Sequence, residues 1–247
     1  MMRWLRAAVA CLWLVQAGAH AQIKPGEYVM NPGYGVLHIQ PDKGGALKFE
    51  LSVRGANFHT CGLEGVIRNN EARLEDSSDE KLPCIVTFKL LKDGIEVGSR
   101  HEGTCRFYCG MRAAFEGAYL APPAGCAPHV VADIRRRFKA AFDRRAFAEA
   151  RTLLTPVATR CVKTLDNYEE GWVLNDLALT QQRLGDNAGC QATLKPWLEL
   201  AQTPDDEIKG DYPPSDAEAM LRLAVATRTN MRLCGAPVAI KPGAQRR

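Results

Sequence analysis

The hydrophobic pattern changes its period near the middle of the chain, and this change constrains the fold more than any other feature. Over residues 23–120, short apolar runs of strand period lie between glycine-containing turns, and in residues 47–53 apolar and polar residues alternate. From His129 onward, apolar residues recur with the 3.6-residue period of an amphipathic helix. The pattern therefore predicts an α+β fold, in which an N-terminal antiparallel β barrel or sandwich of seven or eight short strands precedes an all-α domain of helical hairpins.

The same periods predict the cores and the helices. The β core is expected to contain the apolar residues that alternate along the runs, which are Leu37, Ile39, Phe49, Leu51, Val53, Val66, Leu74, Val86, Phe88, Val97, Phe115 and Tyr119. Five helices are expected over residues 129–142, 147–161, 168–184, 190–198 and 215–231, with a proline-containing loop before the last. Ser215 and Glu218 have the spacing of a capping box, so we expect Ser215 to cap the fifth helix.

The first residues have the pattern of a secretory signal peptide. Arg3 and Arg6 precede a short apolar run, and Ala19-His20-Ala21 has the small-x-small form of a cleavage site. We therefore expect export to the periplasm or secretion, with no membrane anchor after cleavage. The predicted division is a signal peptide (1–21), a disulfide-stapled β domain (22–120), a linker (121–127), a helical domain (128–235) and a flexible tail (236–247).

The cysteine count is consistent with export. Nine cysteines include Cys11 in the signal peptide, and the remaining even number in an exported chain indicates disulfide bonds. In the β domain, Cys61 and Cys84 lie on runs that we expect to be neighbours, so they are predicted to pair. Cys105 is then predicted to pair with Cys109, closing a small loop at the end of the domain.

A weak repeat with an offset of 40 residues relates the first two helical pairs. In the second unit, Leu177-Ala178, Gly185-Asp186, Cys190, Leu194 and Pro204 resemble the tetratricopeptide pattern, although the usual repeat is about 34 residues long. The resemblance implies stacked antiparallel hairpins with a concave surface that binds proteins or peptides. An array of helical hairpins outside that family is the alternative.

Antiparallel hairpins place the start of one helix beside the end of its partner. Cys126 precedes the first helix and Cys161 ends the second, so this pair is predicted to form a disulfide. Cys190 opens the fourth helix and Cys234 ends the fifth, so the same prediction applies to them. A bond between domains, from Cys109 to Cys126, is the rival arrangement.

Catalytic and cofactor sites are not indicated. The spacing of His101, Cys105 and Cys109, with His59 and Cys61 nearby, resembles that of a zinc site, but thiols in an exported protein usually oxidise. No metal, cofactor or catalytic residue is therefore predicted. A net charge of +4 without a massed basic run excludes an evident nucleic-acid-binding face. The remaining catalytic alternative is an envelope enzyme acting on peptidoglycan or a glycan, with His59–Glu64 or His101–Glu102 as its pair.

Two loops of the β domain are the predicted binding residues, because each combines an aromatic group with hydrogen-bonding groups in a turn. They are Asn57-Phe58-His59 and Arg106-Phe107-Tyr108. At the level of fold only, the β domain resembles the small disulfide-bonded β domains of periplasmic lysozyme inhibitors. That resemblance implies an inhibitor or immunity protein that blocks a lysozyme-like or toxin enzyme, so the predicted function is non-catalytic protein binding. A scaffold for envelope assembly that uses the helical groove is a further alternative.

Overall fold

The computed structural model describes residues 22–74, 82–100 and 102–242, and within them it confirms the α+β prediction. An eight-stranded antiparallel sheet comes first, and helices follow. The predicted signal peptide, His101 and residues 243–247 lie outside the described residues. None of the described helices combines the length and the apolarity that crossing a lipid bilayer requires.

The sheet curls into a nearly closed barrel. Its strands are β1 (Gly26–Met30), β2 (Gly35–Pro41), β3 (Leu47–Arg54), β4 (Thr60–Ile67), β5 (Glu71–Leu74), β6 (Cys84–Leu91), β7 (Gly94–Ser99) and β8 (Gly117–Leu120), in the order β4-β3-β2-β1-β8-β7-β6-β5. The two outer strands, β4 and β5, meet through a bridge between Arg68 and Glu71. Asn69 and Asn70 connect them with φ values of 53° and 64°, the left-handed conformation that a tight hairpin turn requires.

The barrel core follows the alternation of the strands, with one correction. In β4, Cys61, Leu63 and Ile67 are buried, so Val66, which was predicted to lie in the core, belongs to the opposite face and is half-buried. Gly65 lies on the inner face of β4, where a Cβ would be only 3.1 Å from the ring of Phe49. The bulk of Phe49 therefore fills the position that an apolar side chain of β4 was expected to fill.

The helices are α1 (Glu102–Cys105), α2 (Pro128–Asp143), α3 (Phe147–Arg160), α4 (Asn167–Arg183), α5 (Asn187–Leu194), α6 (Leu198–Gln202), α7 (Asp205–Asp211) and α8 (Pro214–Leu233). The predicted fourth helix is interrupted by a 3-10 turn, Lys195–Trp197, because Pro196 has no N–H to continue the helical hydrogen bonds. The predicted proline-containing loop contains α7.

Two helical hairpins share the same turn. Arg145, after α2, and Gly185, after α4, both have a positive φ, 63° and 80°. In each turn the next residue donates a hydrogen bond of 2.9 Å to the carbonyl five residues earlier, from Ala146 to Ala141 and from Asp186 to Gln181. This is the Schellman arrangement. Its recurrence 40 residues later supports the predicted repeat, while membership of the tetratricopeptide family stays a prediction.

Both predicted disulfides of the helical domain are confirmed. Cys126 bonds to Cys161, and Cys190 bonds to Cys234, so the rival bond between Cys109 and Cys126 is not formed. Residues 236–238 of the tail pack beside the second of these disulfides. Four intramolecular disulfides within the described residues indicate that the protein folds in an oxidising environment.

Candidate functional site

The two loops predicted to bind a partner lie side by side at one end of the barrel. The Ala56 N–H donates to the Arg112 carbonyl at 3.2 Å, and the Gly110 N–H donates to the Thr60 carbonyl at 2.8 Å. The loops approach so closely that a Cβ on Gly55 would lie 2.1 Å from the Arg112 oxygen. Residues 57–59 and 106–108 therefore belong to one surface.

Disulfide bonds fix this surface, but in a pairing that differs from the predicted one. Cys61 bonds to Cys109 and Cys84 bonds to Cys105, so the predicted pairs Cys61–Cys84 and Cys105–Cys109 are wrong. The reason is topological. Cys84 lies opposite Leu74 on β5, and β5 separates the β6 strand of Cys84 from β4.

Cys105 and Cys109 face different partners because a helical turn lies between them. Cys105 ends α1 and is buried in the barrel core, whereas Cys109 is extended and forms an isolated bridge with Cys61. Since all four sulfurs are bonded, none of them is a thiolate ligand for zinc or a redox thiol. His101, the other residue of the zinc-like spacing, lies outside the described part of the chain.

Arg106 and Tyr108 stabilise the loop through contacts with neighbouring residues. The Arg106 guanidinium donates hydrogen bonds to the carbonyls of Met111 (2.8 Å) and Ala113 (3.2 Å), so it holds the following turn in place. The Tyr108 ring is half-buried against the barrel core and meets Phe107 edge-on, with ring centroids 5.4 Å apart. Arg106 and Phe107 are both exposed, and Phe107 is the apolar residue of this segment that projects outward.

Three large apolar side chains project from the paired loops. Phe58 is 66% exposed, Phe107 61% and Met111 78%, and we call these three residues the barrel-end patch. Exposed apolar residues that cluster are a mark of interaction surfaces. Met111 was not predicted, because a single methionine after Cys109-Gly110 has no period or turn motif that distinguishes it from a core residue.

Phe58 has an unusual backbone. Asn57 and Phe58 have φ values of 56° and 61°, and a bulky residue in the left-handed region is an outlier. Strain of this kind costs about 1–3 kcal/mol and persists only where surrounding contacts enforce it. Here the Gly55 N–H donates to the His59 carbonyl at 2.6 Å across the turn, and Asn57 is held by the helical domain.

Asn57 is half-buried and contacts α8. Its N–H donates to the Asp216 carboxylate at 2.8 Å, and its side-chain oxygen accepts from the Ser215 N–H at 3.4 Å. The predicted cap at Ser215 is therefore wrong: α8 begins at Pro214, Ser215 lies inside its first turn, and Pro213 at the N-cap position has no side-chain acceptor. The barrel supplies the acceptor that the helix itself lacks.

A second contact joins the barrel to the start of α4. The Arg54 guanidinium forms an ion pair with Asp166, whose other carboxylate oxygen accepts from the Glu169 N–H at 2.7 Å and so caps the helix. The Gly33 N–H donates to the Leu165 carbonyl at 3.0 Å. The barrel thus docks on the N-terminal ends of two helices, α4 and α8, which pack against each other.

Between these contacts lies a groove, which we call the interdomain groove. Its apolar half is a cleft of about 550 Å³ lined by Met30, Pro32, Tyr34, Val53, Arg54, Gly55, Ala56, Phe58, Ala114, Asn167, Tyr168, Tyr212, Pro213, Ser215, Asp216, Ala219, Met220 and Arg222. Its charged half is an open cavity of about 500 Å³ lined by Arg54, Arg135, Asp166, Tyr168, Glu169 and Trp172. The two halves adjoin at Arg54 and Tyr168.

Burial changes the acidity of the carboxylates along α4. Desolvation raises the pKa of Glu169, and the neighbouring Arg135, 3.6 Å away, opposes that rise. Desolvation also raises the pKa of Asp176 to about 6, again against the effect of Arg135. Neither residue was predicted, since a carboxylate on a helix of mixed polarity is expected to be solvated.

The predicted catalytic pair of His59 and Glu64 does not converge. His59 precedes β4 and Glu64 lies within it, so five residues of extended chain separate them, about 16 Å at the rise of a strand. Glu64 instead forms an ion pair with Lys48 of β3 at 3.6 Å. The His59 ring packs against Gly110, where a Cβ would be 2.6 Å from the Nδ1 atom.

Neither a metal-binding cluster in the described part of the chain nor a similar protein indicates the function. Among the residues that the structure describes, no group of three or more histidine, cysteine, aspartate or glutamate side chains is arranged to hold a metal ion. Comparison of the chain with protein-family models, curated proteins and solved structures finds no match.

Proposed function

We propose that this chain is an exported, non-catalytic protein-binding protein that contacts its partner through the barrel-end patch. The observation that carries the proposal is the combination of exposure and rigidity at Phe58, Phe107 and Met111. Two disulfides, the hydrogen bonds of Arg106 and the close packing of the loops restrain the backbone that carries these side chains. A preorganised apolar surface loses little conformational entropy on binding, and this favours affinity.

The form of the function that the patch supports best is inhibition of an enzyme with an acidic cleft. Phe107 and Met111 project from a braced turn, and exposed Arg112 follows directly. A cation beside an apolar tip complements a cleft that contains catalytic carboxylates, the arrangement used by lysozyme-like glycosidases. We therefore propose a periplasmic or secreted inhibitor of a peptidoglycan-degrading enzyme.

The experiment uses the chain from Gln22 onward with its disulfides formed. Lysis of peptidoglycan by a panel of lysozyme-like enzymes is measured with the wild-type protein, with the double variant Phe107→Ser/Met111→Ser, and with the control Val225→Ser. Val225 is also an exposed apolar residue, 46% exposed, but it lies on α8. We expect the wild-type protein and the control to inhibit at least one enzyme. The double variant should require at least about tenfold more protein for the same inhibition.

Two results would contradict this proposal at different levels. If no enzyme of the panel is inhibited, the inhibitor form is wrong. The immobilised wild-type protein and the double variant are then compared for stoichiometric partners in periplasmic and culture-supernatant extracts. If both proteins retain the same partners equally well, the patch is not the binding surface.

A further inference from the structure

The interdomain groove has two halves of different chemistry. In the apolar half, Met30, Val53 and Met220 contribute side chains, and the charged groups at its edge are already engaged. The Asp216 carboxylate accepts a hydrogen bond from the Asn57 N–H, and Arg222 forms an ion pair with Glu218 at 2.7 Å. This half therefore favours apolar groups and offers little to an additional charge.

The charged half is lined by two cations and two carboxylates, and a third carboxylate, Asp176, lies near Arg135. The Arg54 guanidinium is paired with Asp166, which leaves Arg135 facing Glu169 at 3.6 Å and also close to Asp176. Asp176 lies seven residues after Glu169, on the same face of α4. With all groups ionised, the two cations and two carboxylates of the lining balance, and Asp176, beside Arg135, adds one negative charge, so an additional cation is favoured over an anion.

Two aromatic rings border the same cavity. Tyr168 and Trp172 meet edge-on with centroids 6.2 Å apart, one helical turn from each other on α4. The faces of such rings attract ammonium and guanidinium groups. Carboxylates and aromatic faces together distinguish a site for an organic cation from a site for a simple anion.

We propose that the interdomain groove binds an extended peptide segment, with a lysine or arginine side chain among Glu169, Tyr168 and Trp172 and with neighbouring apolar side chains in the cleft lined by Met30 and Met220. Each half, at about 500–550 Å³, has the size of an ordinary ligand cleft, and the two adjoin as an extended chain with different side chains requires. This site goes beyond the barrel-end patch and shares with it only Phe58.

The occupant is expected to bind less tightly in acid. The charged groups that line the cation's cavity are Arg54 from β3, Arg135 from α2, Asp166 before α4 and Glu169 on α4. Asp176 of α4 lies near Arg135, and Asp216 and Arg222 of α8 line the apolar half. Burial raises the pKa of Asp176 to about 6 and also raises the pKa of Glu169, so acid removes negative charge near the cation while a lysine side chain keeps its own charge. Lowering the pH from about 7.5 to about 5 should therefore weaken the binding of a lysine peptide.

The test measures fluorescence anisotropy of labelled six-residue peptides. The probe is Ala-Leu-Lys-Phe-Leu-Ala with acetyl and amide ends, and the matched peptide has glutamate in place of lysine. We expect the lysine peptide to bind about tenfold more tightly, a difference of about 1.4 kcal/mol. The variants Glu169→Gln, in the charged half, and Ala219→Gln, in the apolar half, should each weaken binding about fivefold or more.

Matched controls carry the same chemical changes elsewhere. Glu149→Gln removes a carboxylate on α3 that pairs with Arg144, and Val225→Gln adds a polar side chain to an exposed position of α8. Both should bind like the wild type, and circular dichroism verifies that every variant folds. Absence of peptide binding, equal affinity for the lysine and glutamate peptides, or wild-type binding by both groove variants would overturn the proposal. Enzyme inhibition through Phe107 and Met111 is measured separately and does not depend on these outcomes.

Discussion

The two domains use their disulfide bonds differently. In the helical domain, Cys126–Cys161 and Cys190–Cys234 join the ends of packed helices, so they fasten secondary-structure elements to one another. In the barrel, Cys61–Cys109 and Cys84–Cys105 join strands to the irregular segment that carries Phe107 and Met111. The first pair stabilises architecture, whereas the second also shapes a surface. Under the proposed function, only the barrel disulfides restrain a segment that contacts the partner.

The largest expected effect comes from removing one disulfide of each kind. Cys61–Cys109 and Cys190–Cys234 have similar sequence separations, 48 and 44 residues. Loop-closure entropy therefore predicts nearly the same loss for the double variants Cys61→Ala/Cys109→Ala and Cys190→Ala/Cys234→Ala, about 4 kcal/mol each. The free energy of unfolding in urea measures both losses.

The two variants should differ in their binding of the partner although they have similar stability. Under conditions in which both remain folded, inhibition or partner retention through the barrel-end patch should fall only when Cys61–Cys109 is removed, because only that bond restrains Phe107 and Met111. Equal loss of binding in the two variants would show that the disulfides of the two domains do not differ in function.

A smaller effect is expected at the contact between the domains. The substitution Gly33→Ala would place a Cβ 2.6 Å from the backbone of Leu165 and Asp166, so the barrel and α4 must separate. Overpacking of this kind costs about 1–3 kcal/mol. Gly62→Ala is the matched control, because a Cβ there meets nothing within 4 Å.

Urea unfolding of both glycine variants measures this contact. A destabilised Gly33→Ala protein beside an unaffected Gly62→Ala protein would show that the domains stabilise each other. If Gly33→Ala unfolds like the wild type, the docking of the barrel on α4 contributes nothing to stability, and the two domains are energetically independent.

The smallest expected effect concerns the cap that the barrel gives to α8. Asn57→Gly keeps the positive φ of 56° without strain but removes the oxygen that accepts from Ser215. We expect a loss of about 1 kcal/mol, the value of an ordinary hydrogen bond. Thermal unfolding followed by circular dichroism measures it.

Asn69→Gly makes the same exchange at a residue with a φ of 53° in the turn between β4 and β5, away from the helical domain. This control separates the effect of glycine from the effect of the lost cap. If Asn69→Gly is as unstable as Asn57→Gly, the lost stability comes from the unfolded chain, in which glycine has more conformational freedom. The contact between the domains would then not be its cause.

Much of each domain could be predicted from the sequence because its signals are local. Alternation in residues 47–53 places Phe49, Leu51 and Val53 in the core, and the helical period locates α2, α3, α4 and α8 to within a few residues. The prediction for Val66 was wrong because the inward register of β4 includes a glycine, Gly65, which a hydrophobicity pattern does not count as a core residue.

The candidate sites could be predicted only in part. Loops 57–59 and 106–108 were recognised by their aromatic and polar residues, but the role of Asn57 as a contact to α8 was not, because Ser215 and Asp216 are more than 150 residues away. Met111, Glu169 and Asp176 likewise acquire their significance from neighbours that are distant in sequence.

The disulfides show what the sequence determined alone and what required the tertiary structure. The pairs Cys126–Cys161 and Cys190–Cys234 follow from helical period and turn position, since consecutive antiparallel helices bring known ends together. The pairs Cys61–Cys109 and Cys84–Cys105 depend on which strands are neighbours in a closed sheet and on the path of the irregular segment that packs on it. The interdomain groove depends further on how two independently patterned domains dock. Local periodicity records which face of an element is buried, but the long-range contacts that select its neighbours leave no periodic trace in the sequence.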